Sequence, residues 1–257
     1  MHMSVAVKCA YDGRAYHGFA RQPDVTTIEG TLIDVLIELG YIINPKTSQF
    51  RSASRTDKGV SAFGNVFVFS TDSSCENLLI DCTKNLEDII LYGIHVVDDG
   101  FNPRYARQRR YRYYLQNSDY DVESIQKTAS LFEGTHDFTN FARIESHRNP
   151  VRTIDSITIS IKEGCIRFDF SAQTYLWHQI RRIISAIQQV EEKKIARDEI
   201  ITYLQQPNIQ ADFGVATSES LILMDVLYDF QFTYYDLLLK EKNELRENLE
   251  TDLKCLS

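Results

Sequence analysis

Residues 54–69 read SRTDKGVSAFGNVFVF and set one carboxylate, Asp57, between two cations, Arg55 and Lys58. Nearby positive charge favours the ionised form of a carboxylate. An ionised carboxylate that is held rigidly can serve as a nucleophile or a base. Gly59, two positions on, supplies a positive φ where a turn needs one, so the same residues also suit an ordinary surface turn. The apolar run NVFVF reads as a buried strand able to keep the carboxylate in place.

A second cluster is RRYRYY, residues 109–114. Strand alternation puts Arg109, Tyr111 and Tyr113 on one face and Arg110, Arg112 and Tyr114 on the other. Aromatic faces flanked by cations stack bases and grip phosphates; a half-buried strand with outward-reaching arginines fits the same pattern. Arg104 and Arg107 lengthen the basic run. In LWHQIRRII, Arg181 and Arg182 stand among Leu176, Ile180, Ile183 and Ile184. An arginine on or beside an apolar face needs an anionic partner, unless both point to solvent. Arg14 and Arg21, in the loop YDGRAYHGFARQ, are further candidates for phosphate contacts.

No GxGxxG, Walker A or HExxH pattern is present. His95, His136 and His147 fit no metal-ligand spacing, and His178 reads as structural, so no metal is expected. The five cysteines are odd in number and form no CxxC pair, which fits a reducing cytoplasm without disulfides or zinc. The net charge of -8 speaks against a nucleic-acid binder if taken alone. Local field matters more than the total, and the arginines cluster at 104–112, 143–152 and 181–182 while acids dominate 72–99 and 236–252. No apolar run approaches the roughly 20 residues of a membrane helix, and MHMSVAVKCAYDG lacks the shape of a signal peptide.

The elements that must position these groups follow from periodicity. MSVAVKCAY is a strand; Thr26 with Glu29 forms a capping box for an amphipathic helix through Leu39. TSQFRSAS and NVFVFS are strands, CENLLIDCTKNLEDIILYG a helix ending at Gly93, and IHVVDD a strand. The order is the split β-α-β repeat. RRYRYYLQ, a helix at 121–133, a hairpin around Glu163-Gly164, helices at LWHQIRRIISAIQQV and 197–205, and the strand LILMDVLYDF repeat the theme. The expectation is an α+β protein of two related lobes, 1–104 and 105–257, closed by an amphipathic helix at about 234–252.

Seven segments, YDGRAYHGFARQ, TTIEGTL, RTDKGVSAFGNV, RYARQRRYRYYL, DFTNFA, PVRTI and LWHQIRRII, resemble the TruA-type tRNA pseudouridine synthases in the same order. RTDKGVSA is similar to the archaeal and eukaryotic branches. The resemblance implies isomerisation of uridine to pseudouridine in the anticodon stem-loop of tRNA, at positions 38–40, without cofactor or metal. It implies two lobes sharing a central antiparallel sheet, helices on one side, an active-site cleft between the lobes, and a homodimer that binds tRNA. By motif position, Asp57 matches the catalytic aspartate, Tyr111 the tyrosine that stacks on the target base, and Arg181 the basic partner of the aspartate. Arg55 matches the arginine that holds the place of the extruded nucleotide. Lys58, Arg107, Arg109 and Arg110 join Arg14, Arg21 and Arg55 as RNA-binding candidates. The sequence departs from the common bacterial pattern at Lys58 (a usual alanine), Ser61 (a usual histidine), Phe19-Ala20 (a usual tryptophan in the pair) and ATSESLILMDV.

Two other readings use the same residues: a non-catalytic RNA-binding protein with a stacking platform, and a metal-dependent phosphoryl-transfer enzyme built on Asp57. The latter needs further carboxylates nearby, and residues 50–66 hold none.

Overall fold

The computed structural model of the chain describes residues 2–116, 119–162 and 164–255. Its elements run β1 (Met3–Tyr11), α1 (Ile28–Glu38), β2 (Arg51–Ser52), β3 (Ser61–Thr71), α2 (Leu78–Lys84), β4 (Ile89–Val97), β5 (Gln108–Leu115) and α3 (Val122–Ala129). They continue with β6 (Gly134–Asp137), β7 (Val151–Ile154), β8 (Ser156–Lys162), β9 (Cys165–Ala172), α4 (Gln179–Glu191), α5 (Arg197–Gln205), β10 (Leu221–Leu227), β11 (Thr233–Tyr234) and α6 (Asp236–Cys255). The protein is α+β with mostly antiparallel strands, and it divides into two compact units.

The first unit comprises Met1–Arg107 and Ile222–Leu253. Its strands lie in the order β11-β4-β1-β3-β10, with β2 also paired to β3. β1 runs antiparallel to β3 (Val5↔Phe69, Val7↔Phe67) and to β4. Every residue of β3 is buried, so both phases of SAFGNVFVFST carry apolar or small side chains. Stacked Phe50, Phe67 and Phe69 thicken the core on one face. Lys8, buried in β1, is held by Asp225 of β10 at 2.6 Å; a buried ammonium needs such a partner.

The expected lobe of 105–257 therefore loses residues 222–253 to the first unit. β10 adds in parallel to β3 through Ile222↔Ser61 and Leu223↔Ala62, and β11 pairs with β4. From α6, Lys242 lies over the Tyr92 ring and Arg246 over Phe63. Two further boundaries differ from the periodicity. The expected helix ending at Gly93 stops at Lys84, and Gly93 sits inside β4, where a Cβ would meet the Tyr234 ring at 2.9 Å. The expected strand TSQFRSAS shrinks to Arg51–Ser52, because Asn44 accepts from the Lys46 and Thr47 amides and folds 44–49 into turns. α1 is capped by Thr27, which accepts from Gly30, and not by Thr26 with Glu29. Glu29 instead accepts from the Arg21 amide.

The second unit is built on Gln108–Leu221. β5, β9 and β8 form an antiparallel set in that order (Tyr111↔Phe170, Ile157↔Phe170), and β6 with β7 makes a separate two-stranded sheet. Gly164, at φ 82, turns β8 into β9. Phe132, Phe138, Phe141, Phe168 and Phe170 fill the core with Ile183, Ile184 and Ile187 of α4. α4 begins at Gln179 and not at Leu176, since His178 takes a left-handed φ of 60°. The Gln179 side chain accepts from the Leu176 amide and closes that start.

Candidate active site

Asp57 opens a tight turn. The Val60 amide donates to its carbonyl at 3.2 Å, and Gly59 takes φ 83 at the third position, as in a type II turn. Asp57 is half-buried, while Arg55 and Lys58 on either side are exposed. The turn is pinned from below by a buried polar network. The Tyr11 hydroxyl lies 2.9 Å from Thr56 Oγ1, and Asn65 Nδ2 donates to Tyr11 Oη at 3.2 Å and to the Ser54 carbonyl at 3.0 Å. Satisfied buried polar groups of this kind fix one geometry, because each broken contact leaves a desolvated atom.

The loop YDGRAYHG pins the turn from outside. A Cβ on Gly13 would lie 2.0 Å from the Val60 carbonyl oxygen, so only glycine lets the two backbones meet. Gly18, at φ 94, faces the Thr56–Lys58 backbone, and the Phe19 amide donates to the Thr56 carbonyl at 3.0 Å. The Gly13 amide donates to Ser61 Oγ at 3.0 Å. Ser61, one of the departures from the common bacterial pattern, thus receives this loop. Gly13 and Gly18 thus serve as close-approach points for the Asp57 turn.

In the second unit, Tyr111 stands half-exposed on β5, and the Tyr175 ring meets it edge to face at 5.3 Å. The Tyr175 hydroxyl is buried without a hydrogen-bond partner among the described residues. Burial pushes its pKa well above the usual phenol value, with Tyr111 adding to the effect. Arg109, expected to contact RNA, is 6% exposed. Its guanidinium donates to the Gln173 carbonyl and so supports the loop that carries Tyr175. On the opposite face, Arg112 binds Asp169 at 2.7 Å, and Asp169 also meets Arg167 at 3.0 Å. Arg181, in the first turns of α4, donates through Nε to the Ala216 carbonyl at 2.7 Å, and the Ala216 amide returns a bond to the Arg181 carbonyl. Arg182 pairs with Asp212 at 2.9 Å. The buried Asn140 of DFTNFA bonds the Tyr203 carbonyl and the Ala211 amide, which makes that motif structural.

The remaining cations differ in how far their charge is already met. Arg14 holds Asp12 at 2.7 Å and Asp252 at 2.8 Å, and these hydrogen bonds, Asp12 first, raise its pKa further. Arg107 meets Asp229 at 4.0 Å, with both side chains exposed. Arg110 is exposed and donates to Gln108, and Arg21 is exposed. Among the described residues no group of three or more His, Cys, Asp or Glu is arranged to hold a metal ion. No helix among them is long and apolar enough to cross a membrane. Burial drives the thiol pKa of Cys82 up to about 12 and that of Cys9 higher, so neither is a nucleophile near neutral pH.

The sequence profile of the family described as tRNA pseudouridine synthase matches residues 128–229. A protein of Pyrococcus horikoshii named tRNA pseudouridine synthase A is 37% identical over 252 residues, 96% of this chain and 93% of that protein. The chain belongs to the tRNA pseudouridine synthase family. As a pseudouridine synthase it is an isomerase. Similar proteins of the same name occur in Methanothermobacter thermautotrophicus (34% identical; 98% of this chain, 94% of that protein) and Thermococcus kodakarensis (40% identical; 72% and 70%). The profile match spans the part of this synthase that holds Arg181.

Proposed function

We propose that the chain isomerises uridine to pseudouridine in the anticodon stem-loop of tRNA, with Asp57 as the reacting carboxylate. One observation carries this reading: Asp57 is the half-buried carboxylate on a turn that the Tyr11–Thr56–Asn65 network and Gly13 hold from two sides. A reacting group must be held to within a fraction of an ångström, and rigid support of this kind supplies that.

The reaction breaks the bond from ribose C1′ to N1 and makes one from C1′ to C5. C5 loses a proton and N1 gains one, so atoms and electrons balance without any oxidant or second substrate. The groups needed are a carboxylate, to attack C1′ or C6 or to take a sugar proton, and a base for the C5 proton. The uracil must first leave its stack, at a cost of a few kcal/mol. Exposed Arg55 and Lys58 beside Asp57 suit phosphate contacts that offset it. Tyr111 and Arg181 keep, as proposals, the roles that the resemblance implies: a stacking surface for the base and the cation that holds the catalytic carboxylate ionised. A homodimer working in the cytoplasm belongs to the same proposal.

The test is to incubate unmodified tRNA transcripts with the purified protein, with and without EDTA, and to map pseudouridine by chemical labelling. Pseudouridine within the anticodon stem-loop, equal in both samples, is expected. A protein that binds the transcripts and never modifies them would favour the non-catalytic RNA-binding reading. Product confined to other stems would overturn the assigned position alone.

A further inference from the structure

We propose that Arg51, Arg55 and Arg104 form a subsite for a backbone phosphate of the RNA, on the first unit and beyond the residues assigned to catalysis. They line one cavity of about 300 Å³ together with Glu29, Phe50 and Asn102. Three guanidinium groups against one carboxylate leave the lining with a formal charge of two positive units.

In this acidic chain several arginines are compensated: Arg14, Arg112, Arg167 and Arg182 each hold a carboxylate within 3.0 Å. Arg51 and Arg55 have no carboxylate partner within 4.0 Å among the described residues, and both are exposed. Arg51 donates instead to two neutral acceptors, the Gly100 carbonyl at 3.4 Å and Gln49 Oε1 at 3.2 Å. Those bonds aim the guanidinium without neutralising it. Like charges gathered in one concavity favour an anion, and guanidinium forks suit phosphate oxygens.

The backbone around the cavity is fixed. Arg51 lies in β2, and Phe50 stacks on Phe67 at 5.3 Å. Arg104 stands on a turn in which Asn102 Oδ1 accepts from its amide at 3.1 Å. The next residue, Tyr105, is 81% exposed. An aromatic ring beside a cation on a rigid turn suits a base on the same strand, because every base offers a π face. The subsite rests on the reading of RNA as substrate and extends it to the nucleotides flanking the target. Arg55 links the two, since its neighbour Asp57 is the proposed reacting carboxylate.

The test compares the wild-type protein, Arg51→Ala/Arg104→Ala and Arg51→Lys/Arg104→Lys for binding of an anticodon stem-loop RNA across salt concentrations. The alanine pair should weaken binding about tenfold or more near 0.1 M salt and flatten the log–log salt slope by about 0.7–0.9, one phosphate's worth. The lysine pair should keep the slope, and KM for tRNA should rise in the alanine pair with kcat within about twofold. An unchanged slope and KM in a folded alanine pair overturns the subsite. So does a free nucleotide that binds the wild type, is lost in the alanine pair, and leaves RNA affinity untouched. A wild type that makes no pseudouridine defeats the catalytic reading, while the salt slopes still decide the subsite.

Discussion

The hydroxyls of Tyr11 and Thr56 meet at 2.9 Å, and this contact ties the end of β1 to the residue before Asp57. Tyr11→Phe removes the bridge and leaves Thr56 Oγ1 and the Asn65 amide short of a buried partner. The expected cost is about 1–3 kcal/mol of stability. If the bridge also sets the carboxylate, kcat falls by up to about a hundredfold with KM little changed. Urea unfolding and steady-state kinetics measure the two effects. A stability loss with kcat intact would show that Asp57 does not depend on this anchor.

Gly13 and Gly40 make a contrasting pair. Gly40 has φ 73 and nothing within 4 Å of a Cβ, so Gly40→Ala meets backbone strain alone, about 1 kcal/mol. Gly13→Ala drives a methyl group into the Val60 carbonyl and must push the loop off the turn, at about 3 kcal/mol or more. Thermal melts should rank Gly13→Ala far below Gly40→Ala; equal melting points would mean that the loop is free to shift.

Arg109 and Arg110 are adjacent and should behave oppositely. Arg109→Ala deletes a buried guanidinium and its bond to Gln173, for about 2 kcal/mol of stability. Arg110→Ala, on the exposed side, should leave the melting temperature within a degree or two and weaken RNA binding while reducing the salt slope by about 1. Chemical unfolding beside fluorescence anisotropy separates them. Loss of RNA affinity without loss of stability in Arg109→Ala would return Arg109 to the RNA-contacting set.

The segment between α2 and β4, which meets the loop after β1 where the Asp12 amide donates to the Asp88 carbonyl at 3.1 Å, carries an unfavourable carboxylate. Desolvation, then Asp12 and Glu87, push the Asp88 pKa above its usual value, with Arg14 opposing. A carboxyl group that holds its proton more tightly when folded costs stability above its folded pKa and nothing below its unfolded one. Asp88→Asn should therefore raise the melting temperature at pH 7, by less than about 1 kcal/mol for so solvated a group, with the gain fading as pH falls through the carboxylate range. A lower melting temperature at pH 7 would contradict that sign.

Much of this was legible in the chain. The alternation of MSVAVKCAY and the run NVFVF marked β1 and β3, and the order β-α-β-β-α-β held through β4. Asp57 between two cations stood out because its meaning is local. What could not be read is long-range: that Tyr11 reaches Thr56, that Gly13 faces Val60, and that 222–253 rejoin the first unit depend on strand pairing across distant sequence. Arg109 misled because alternation names a face but not which face is covered. Tyr175 went unnoticed, since a lone tyrosine in a loop carries no periodic signal; its place beneath Tyr111 appears only in three dimensions.

The most direct test is Asp57→Asn, which keeps the shape of the side chain and the backbone bond from Val60 while removing the ionisable oxygen. Release of tritium from tRNA labelled at uridine C5 should fall at least about a thousandfold, with tRNA affinity within about threefold of wild type. Release at the wild-type rate from the same folded variant would contradict Asp57 as the reacting group.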